Sequence, residues 1–369
     1  MNVPAVDVAA QHAELAAEIE PLVLEVLRSG HYVGGSHVAA FERDYASAIG
    51  VAHCIGVGNG TDAIELALRA VDVAPGDEVI VPGNTFIATA EAVSRIGAVP
   101  VPVDVDPVHL LLAPGAVAGA VTPRTRAIVP VHLYGQVAPV DALLELADQH
   151  GIAIVEDAAQ AQGARRHGRA AGAWGRIAAT SLYPGKNLGA TGDAGAVTTD
   201  DDALADSVRL IANHGSRVKY AHEVVGVNSR LDAIHAAILG VKLRHLEEWN
   251  TRRRALAARY TAALGDVPGL VLPTSLPGNK DAWHLFVVRV PDRERVVAAM
   301  AADGIEAGVH YPEPWYLSPA YADLGHGAGT CPVVEEAAPQ ILSLPIHPQL
   351  TPDQQDRVVA AVRRGIEDS

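Results

Sequence analysis

Short apolar runs rich in β-branched residues alternate with stretches of helical spacing in the first 200 residues, and this alternation restricts the possible folds more than any other feature of the sequence. The apolar runs are Val79–Val81, Val99–Val105, Ala127–Val131, Ile152–Val155 and Ala194–Thr198. The helical stretches lie near residues 62–70, 85–96 and 139–150. This order predicts an α/β fold in which a largely parallel sheet lies between layers of helices. Ligands of such sheets bind beyond the carboxyl ends of the strands.

The two ends of the chain predict further helices and a second, smaller α/β unit. Apolar residues at helical spacing predict a helix within the first 30 residues, after a short arm, and a long helix over 231–262 with Arg252–Arg254 on its exposed side. A strand, a helix and a strand follow at 283–290, 292–303 and 305–310. Thr351, Pro352 and Gln354 form a capping-box pattern at the start of the last helix. We therefore predict a large domain and a small C-terminal domain, at 1–245 and 246–369.

Charge and cysteine content argue against several classes of protein. The 369 residues include 43 acidic and 28 basic side chains, which give a formal net charge of −15. Such an acidic chain is a poor binder of nucleic acid, because phosphate contacts need clustered cations. Cys54 and Cys331 are too few for a disulfide framework, which favours a reducing compartment. The N-terminus lacks the pattern of a signal peptide and no apolar run reaches membrane-spanning length, so we expect a cytoplasmic protein with no membrane partner.

A lysine in a glycine-rich turn is the first candidate for chemistry. Of the 28 basic residues, only four are lysine: Lys186, Lys219, Lys242 and Lys280. Because this chain uses arginine as its general cation, a lysine after Tyr183-Pro184-Gly185 suggests a reaction that a guanidinium cannot perform, such as Schiff-base formation. An exposed loop lysine is an equally good interpretation of this feature alone. A phosphate-binding P-loop is not, because Thr180 and Asn187 stand where that motif needs Gly and Ser or Thr.

Two further segments could serve a phosphorylated ring. Asp157 follows the predicted strand 152–155, where a parallel strand delivers a side chain to a ligand, although an acid there commonly caps only the next turn. In enzymes that use pyridoxal 5′-phosphate (PLP), an acid pairs with the pyridine nitrogen and keeps it protonated. The run 58–62, Gly-Asn-Gly-Thr-Asp, precedes a helix and could hold a phosphate, with Ser181 as a further hydroxyl. The alternatives for this run are an ordinary N-cap at Thr61 and a dinucleotide fingerprint, whose third glycine is missing.

Phe86, one of three phenylalanines, follows a strand end, where it could stack on a flat cofactor or pack into the core.

Together these segments closely resemble the DegT/DnrJ/EryC1/StrS family of sugar aminotransferases, and the resemblance extends from about Asp7 to Val362. The motifs that carry it are Gly58-Asn59-Gly60-Thr61-Asp62-Ala63, Pro130-Val131-His132-Leu133-Tyr134-Gly135, Glu156-Asp157-Ala158-Ala159-Gln160, Ser181 to Gly189, and Gly226-Val227-Asn228-Ser229-Arg230-Leu231-Asp232.

The resemblance implies a fold-type I PLP aminotransferase that acts as a homodimer with shared active sites. By motif match, Lys186 bonds covalently to PLP and transfers protons, and Asp157 pairs with the pyridine nitrogen. The other implied cofactor contacts are Gly60, Thr61, Phe86, Gln160, Ser181 and, from the second subunit, Asn228. The residues implied around a nucleotide sugar are Tyr183, Lys219, Tyr220, Arg230, His310 and Tyr311.

The C-terminal stretch 310–314, His-Tyr-Pro-Glu-Pro, resembles family members that aminate dTDP-3-keto-6-deoxyhexoses, with L-glutamate as the donor and pyridoxamine 5′-phosphate as the second cofactor form. Amination of a 4-keto sugar is the alternative.

Two alternatives belong to other classes, an NAD-dependent sugar oxidoreductase and a non-catalytic PLP-fold binding protein. The broken fingerprint argues against the first, and the intact Lys186 and Asp157 argue against the second. Tyr316 stands where close relatives carry histidine, which could reshape the sugar pocket. No metal site is predicted, since the 16 histidines show no His-Glu-x-x-His pattern.

Overall fold

The structure, a computed structural model, describes residues 2–367. Its α-helices are α1 (Val8–Ser29), α2 (Ser36–Ile49), α3 (Gly60–Ala70), α4 (Ile87–Arg95), α5 (Pro114–Ala120), α6 (Val140–His150), α7 (Asp202–Ala212), α8 (Ala233–Leu264), α9 (Arg293–Ala302), α10 (Pro332–Ala337) and α11 (Pro352–Glu367). Its strands are β1 (His53–Val57), β2 (Glu78–Pro82), β3 (Val99–Val103), β4 (Thr125–Ile128), β5 (Ala153–Asp157), β6 (Arg165–Arg166), β7 (Arg169–Ala170), β8 (Ile177–Ser181), β9 (Gly195–Thr199), β10 (Ser216–Val218), β11 (Ala221–His222), β12 (Asn279–Lys280), β13 (Phe286–Arg289) and β14 (Ile341–Leu344).

A seven-stranded sheet in the order β1-β9-β8-β5-β4-β2-β3 lies at the centre of the large core. Its neighbours pair in parallel, except that β9 runs antiparallel to both β1 and β8. The carboxyl ends of β1, β2, β4, β5 and β8 therefore share one edge of the sheet. This arrangement brings the segments after Val57, Pro82, Asp157 and Ser181 to that edge, where α/β sheets bind their ligands.

Alternating side chains of the strands pack against helices on the two faces of this sheet. Val79 and Val81 of β2 join an apolar cluster that includes α3, α4 and α7. Ile80, between them, joins a second cluster with α5 and α6. The period-two pattern of a strand produces this division, because successive side chains point to opposite faces. The predicted α/β fold, with a mostly parallel sheet between helices, is confirmed.

A separate apolar cluster lies in the C-terminal part of the chain. It combines the end of α8 with α9, β13, β14 and α11, and it includes Val3 of the N-terminal arm. Trp315, Tyr316 and Cys331 instead pack into the cluster of the central sheet. The predicted boundary between 1–245 and 246–369 falls inside α8 and stays a prediction. The capping box predicted for α11 is present, since Thr351 N–H donates to Gln354 Oε1 over 2.9 Å and Gln354 N–H donates to Thr351 Oγ1 over 3.2 Å.

Two predictions at the level of elements are wrong, the strand over 305–310 and the exposure of Arg253. No strand forms over 305–310, where Ile305 and Gly308 make only isolated bridges, while β13 pairs with β14. The predicted strand at 194–198 exists as β9 but is antiparallel to its neighbours. Arg253 is buried rather than exposed, because its guanidinium donates to three backbone carbonyls, those of Trp283, His284 and Ile346. Within residues 2–367, no helix is long and apolar enough to cross a membrane.

Candidate active site

A cavity at the carboxyl edge of the sheet, with about 970 Å³ of non-protein space, gathers most of the residues predicted to contact the cofactor. We refer to it as the cofactor cavity. The predicted residues in its lining are Gly60, Thr61, Phe86, Asp157, Gln160, Ser181, Tyr183, Lys186 and Tyr311. A second cavity of about 770 Å³, the outer cavity, shares Gln160, Tyr183, Lys186 and Tyr311 with the first and adds His310 and His284. Lys186 therefore lies in the wall between the two.

The start of α3 and the end of β8 form one side of the cofactor cavity. Asn59 is the N-cap of α3, and its side chain accepts a hydrogen bond from Asp62 N–H over 2.8 Å. The alternative of an N-cap at Thr61 is therefore wrong. A Cβ on Gly60 would lie only 2.6 Å from Ser181 Cβ, so glycine is needed for this close approach. The first-turn N–H groups of a helix attract anions, and the hydroxyls of Thr61 and Ser181 adjoin them.

Asp157, at the end of β5, is a buried carboxylate held by two donors. Thr89 Oγ1 donates to Asp157 Oδ2 over 2.9 Å, and Ala159 N–H donates to Asp157 Oδ1 over 3.1 Å. Burial raises the pKa of Asp157 above its ordinary value, although these hydrogen bonds and the charge of Lys186 oppose the rise. Thr85 Oγ1 lies 3.0 Å from Thr89 Oγ1 and extends the chain of hydroxyls. Sequence reasoning missed Thr89; its spacing of four from Thr85, directly after a strand end, is the signal that could have found it.

Glu156, the neighbour of Asp157 in β5, forms a buried hydrogen-bonded pair with His132, which follows β4. Glu156 is fully buried and accepts hydrogen bonds from His132 Nε2 and from the N–H groups of Gly172, Trp174 and Gly175. Burial alone would raise the pKa of Glu156, but these donors hold it below its ordinary value. Since Ala138 N–H donates to His132 Nδ1, the ring proton of His132 is on Nε2. Glu156 is therefore an ionised structural acid rather than a second catalytic one.

Lys186 projects from a tight turn closed by its own N–H, which donates to Tyr183 C=O over 2.9 Å. Burial lowers the pKa of the Lys186 amine to about 8, while the nearby Asp157 carboxylate raises it in part. At pH 7 an amine with this pKa has a far larger neutral fraction than an ordinary lysine, and the neutral form is the one that attacks a carbonyl. The turn and the strand end thus bring the two sequence-predicted catalytic groups into one cavity.

An amide and two tyrosines connect the cofactor cavity to the C-terminal segment. Gln160 Oε1 accepts from Tyr134 N–H over 2.7 Å, and Gln160 Nε2 donates to Tyr311 Oη over 3.1 Å. Tyr134 Oη donates to His310 C=O over 2.7 Å. The Tyr311 ring lies 5.2 Å from the ring of Phe86, which is 52% exposed and lines the cavity rather than the core. The core alternative for Phe86 is therefore wrong.

Four predicted site residues lie outside both cavities of their own chain. Lys219 and Tyr220 are exposed at the β10–β11 hairpin, and Asn228 and Arg230 are exposed before α8. The run that contains Asn228 and Arg230 packs on the start of α3, because Ser229 Oγ donates to Asp62 Oδ2 and accepts from Gly58 N–H. The structure therefore does not bring these four residues to the Lys186 of the same chain. Tyr316 also lies outside the lining of both cavities, buried with its hydroxyl donating to Glu335. The expectation that it reshapes the sugar pocket stays a prediction.

The groups around the cofactor cavity suit a flat, phosphorylated aldehyde. Asp157 is a buried acid that could pair with a ring nitrogen, and Lys186 is an amine of lowered pKa that could bond to a carbonyl. Thr61 and Ser181 adjoin a helix N-terminus that could hold a phosphate, and Phe86 offers an exposed ring face. A Schiff-base lysine and a partner for the pyridine nitrogen are the recurring protein groups of PLP sites, and a helix N-terminus is a common site for a phosphate. The residues present therefore fit PLP.

The sequence matches the DegT/DnrJ/EryC1/StrS aminotransferase family over residues 13–363. It is 52% identical over 365 residues to the erythromycin biosynthesis sensory transduction protein EryC1 of Saccharopolyspora erythraea, with 99% of this chain and 100% of that protein covered. It is 50% identical over 366 residues to a dTDP-3-amino-3,4,6-trideoxy-alpha-D-glucose transaminase of Streptomyces venezuelae, with 99% of this chain and 97% of that protein covered.

Solved structures agree with these matches. The crystal structure of DesV from S. venezuelae in complex with a ketimine intermediate has a TM-score of 0.97 and 50% identity, and covers 99% of each chain. NtdA from Bacillus subtilis, with bound pyridoxamine phosphate, has a TM-score of 0.90 and 32% identity, with 96% of this chain and 82% of that chain covered. The dinucleotide and non-catalytic alternatives are therefore wrong, and the predicted cofactor is confirmed. The chain belongs to the DegT/DnrJ/EryC1/StrS aminotransferase family and is a PLP-dependent aminotransferase.

Proposed function

We propose that this chain transfers the amino group of L-glutamate to the keto carbon of a dTDP-linked 3-keto-6-deoxyhexose, as a step of deoxysugar biosynthesis. The observation that carries the proposal is the position of Lys186, in the wall between a cavity that suits PLP and a second cavity large enough for a sugar. The 50% identity to a transaminase that makes a dTDP-3-amino sugar supports the nucleotide and the keto position.

In this proposal Lys186 and Asp157 carry the chemistry. When bound, PLP supplies an electron sink for the charge that develops when a proton leaves the amino-bearing carbon of the donor. Asp157, with Thr89 and Ala159 as donors, holds a negative charge where the ring nitrogen must stay protonated. Lys186 Nζ, as a free amine, accepts the proton lost by glutamate. In the second half-reaction it donates a proton to the sugar carbon that receives the amine.

The outer cavity is the proposed sugar site. Tyr183, His310 and Tyr311 line it and offer polar groups to sugar hydroxyls. Burial and then the charge of Lys186 lower the pKa of His310, so its ring is neutral at pH 7 and suits an uncharged sugar. Lys219, Tyr220 and Arg230 are exposed cationic and aromatic groups that suit a nucleoside diphosphate.

A homodimer with shared sites completes the proposal. Four exposed residues, Asn228, Arg230, Lys219 and Tyr220, are absent from the lining of both cavities of their own chain. We therefore assign them to the site of the partner subunit, with Asn228 at the cofactor phosphate. Large exposed apolar side chains surround them, which favours a protein interface there: Tyr32, Val33, Val218, Val224 and Val225. A cytoplasmic location also stays a proposal, supported by two buried, unpaired cysteines.

A panel of keto sugars tests the reaction. The loaded enzyme is incubated with ¹⁵N-labelled L-glutamate and, in separate reactions, with dTDP-linked 3-keto and 4-keto 6-deoxyhexoses and with a UDP-linked 3-keto sugar. NMR of the products should place ¹⁵N at C3 of the dTDP sugar, and Lys186→Ala should yield no product. Label at C4 when both isomers are offered would refute the keto position, and preferential amination of the UDP sugar would refute the nucleotide.

A further inference from the structure

Lys242 is a buried lysine that the proposed reaction does not use. It lies in α8 with 3% of its surface exposed. Its ammonium donates to Gly189 C=O over 2.7 Å and to Gln11 Oε1 over 3.0 Å. No ion pair joins Lys242 to a carboxylate in the part of the chain that the structure describes, and burial lowers its pKa to about 8. A buried cation without a counter-charge disfavours folding, so its presence calls for another explanation.

Gly189 belongs to the turn that carries Lys186. A Cβ on Gly189 would lie 2.4 Å from Pro184 C=O, so the turn folds back closely on itself at this residue. Ala190 N–H donates to Leu182 C=O over 2.7 Å and closes the loop. The Gly189 carbonyl points away from this closure to Lys242. The ammonium thus joins the far side of the turn to α8 and, through Gln11, to α1.

The same helix holds the turn at a second point. Asn187, the residue after Lys186, donates from Nδ2 to Asn250 Oδ1 over 2.8 Å, and both side chains are buried. Lys242 and Asn250 lie about two turns apart on α8, so the helix contacts the turn at residues 187 and 189. These contacts fix the backbone just after Lys186, while Lys186 N–H fixes the backbone just before it.

Lysine is suited to this position for a geometric reason. Its compact ammonium can donate to two oxygens from different segments at the end of a flexible stem, whereas the planar guanidinium of arginine is larger and rigid. Arginine provides 24 of the 28 basic residues in this chain. A buried lysine at this position, like Lys186, therefore departs from the chain's general use of arginine as its cation.

We propose that Lys242 is a positioning residue for the transamination, which anchors the turn at Gly189 to α1 and α8 and thereby sets the place of Lys186 Nζ between the two cavities. The proposal rests on the proposed function only in that Lys186 is the reacting amine.

Hydrogen exchange of the turn tests the proposal without turnover. The amides of residues 183–190 are followed by mass spectrometry in the cofactor-free and the loaded protein. Lys242→Met keeps the length of the side chain but removes its donors, and we expect these amides to exchange at least about tenfold faster. Lys280→Met is the matched control, since Lys280 is exposed and its ammonium forms an ion pair with Glu247 on the surface, and it should exchange like the wild type.

A double variant covers the case in which Lys242→Met fails to fold. Gln11→Leu/Lys242→Met also removes the amide that Lys242→Met leaves unpaired, so it should cost less stability than the single variant. It still leaves Gly189 C=O without its donor. It should therefore fold and still show fast exchange at 183–190.

Kinetics supply the second measurement. We expect kcat of the loaded Lys242 variant to fall by about 10- to 100-fold because its amine is misplaced, with KM for the sugar unchanged. The kinetic isotope effect on kcat, measured with glutamate deuterated at the amino-bearing carbon, should rise because proton transfer becomes slower. A smaller fraction of folded enzyme would leave this isotope effect unchanged. Wild-type exchange in the turn of both variants, or an unchanged isotope effect, would overturn the proposal. If the wild type aminates no keto sugar, the proposed function fails, while the exchange comparison still decides the role of Lys242.

Discussion

Lys186 and Asp157 affect each other through charge. Burial disfavours the charged form of both, so it lowers the pKa of the amine to about 8 and raises that of the carboxyl, and each charge partly opposes the shift of the other. In the cofactor-free protein, the rate of Lys186 acylation by acetic anhydride should therefore rise with a midpoint near pH 8, followed by peptide mass spectrometry. Asp157→Asn should move this midpoint lower, because the negative charge that favours the ammonium is lost. A midpoint near the ordinary lysine value of about 10.4 would contradict the burial of the amine.

The carboxylate of Asp157 should matter far more to the rate than its supporting hydroxyl. Asp157→Asn keeps the shape but removes the charge, so we expect the reaction to lose about 3–5 kcal/mol of transition-state stabilisation. Thr89→Val removes one donor to that carboxylate and should cost about 1–2 kcal/mol, or roughly 5- to 30-fold in kcat. Thr85→Val, whose hydroxyl contacts Thr89 rather than Asp157, should have the smallest effect. A wild-type rate in cofactor-loaded Asp157→Asn would show that Asp157 is a turn residue only.

The sequence predicts the residues proposed to react better than the residues that hold them in place. Lys186 and Asp157 were identified because a lysine in a glycine-rich turn and an acid at a strand end are local patterns. Thr89 and Lys242 were missed, because their partners lie far away in the chain: Asp157 for Thr89 and Gly189 for Lys242. The spacing of four could have placed Thr89 beside Thr85 on one face of α4, but it does not record the contact with Asp157. No local pattern indicates the contact of Lys242 with Gly189.

Among the elements, the first turn of α3 makes the most specific prediction. Gly60→Ala would place a Cβ 2.6 Å from Ser181 Cβ and push the helix N-terminus away from the end of β8. Overpacking of this kind costs about 1–3 kcal/mol, and we expect it to appear as a weaker affinity for PLP, by about 5- to 150-fold. Equilibrium titration of the cofactor-free protein with PLP, followed by visible absorbance, measures it.

Gly119→Ala is the control for this substitution. A Cβ on Gly119, an exposed residue of α5, meets nothing within 4 Å, so this variant should bind PLP like the wild type. Equal affinity in Gly60→Ala and Gly119→Ala would mean that the contact between Gly60 and Ser181 does not shape the cofactor cavity.

The elements that local pattern predicts are those with long apolar runs or clear periodicity, such as β2, β5, α8 and α11. β8 was missed because its sequence, Ile-Ala-Ala-Thr-Ser, has small residues that favour no single element, and it is a strand only because β5 and β9 pair with it. The sequence predicts β9 as a strand but not its direction, because a single strand carries no record of its neighbours. The strand predicted over 305–310 does not form, because β14 pairs with β13 in its place.

For the molecule as a whole, α8 connects most parts of the structure that matter for function. Its N-terminal half contacts α1 and α2, its middle holds the Lys186 turn through Lys242 and Asn250, and its C-terminal end enters the second apolar cluster. A movement of the C-terminal part relative to the central sheet would therefore act on this helix. The exposed residues just before α8, Asn228 and Arg230, are the ones that we propose for the dimer interface and the partner's site.

If two chains build each active site, inactive variants should complement one another. Lys186→Ala damages a group that lines the cavity of its own chain, while Asn228→Ala/Arg230→Ala damages exposed groups that do not line it. In a heterodimer of the two, both lesions fall in one site and leave the other intact. After subunit exchange of equal amounts, half of the dimers are mixed and each has one working site, so activity should return to about one quarter of the wild-type value.

The matched control for this complementation is a mixture of Lys186→Ala and Asp157→Asn, exchanged under the same conditions. Both residues line the same cavity of one chain, so each site of the heterodimer keeps one lesion and no activity should return. Recovery with the Asn228/Arg230 variant alone would therefore place those two residues in the partner's site. If neither mixture recovers although native mass spectrometry shows the heterodimer, each site is built by one chain, and the exposed run before α8 serves only to pack on α3 through Ser229.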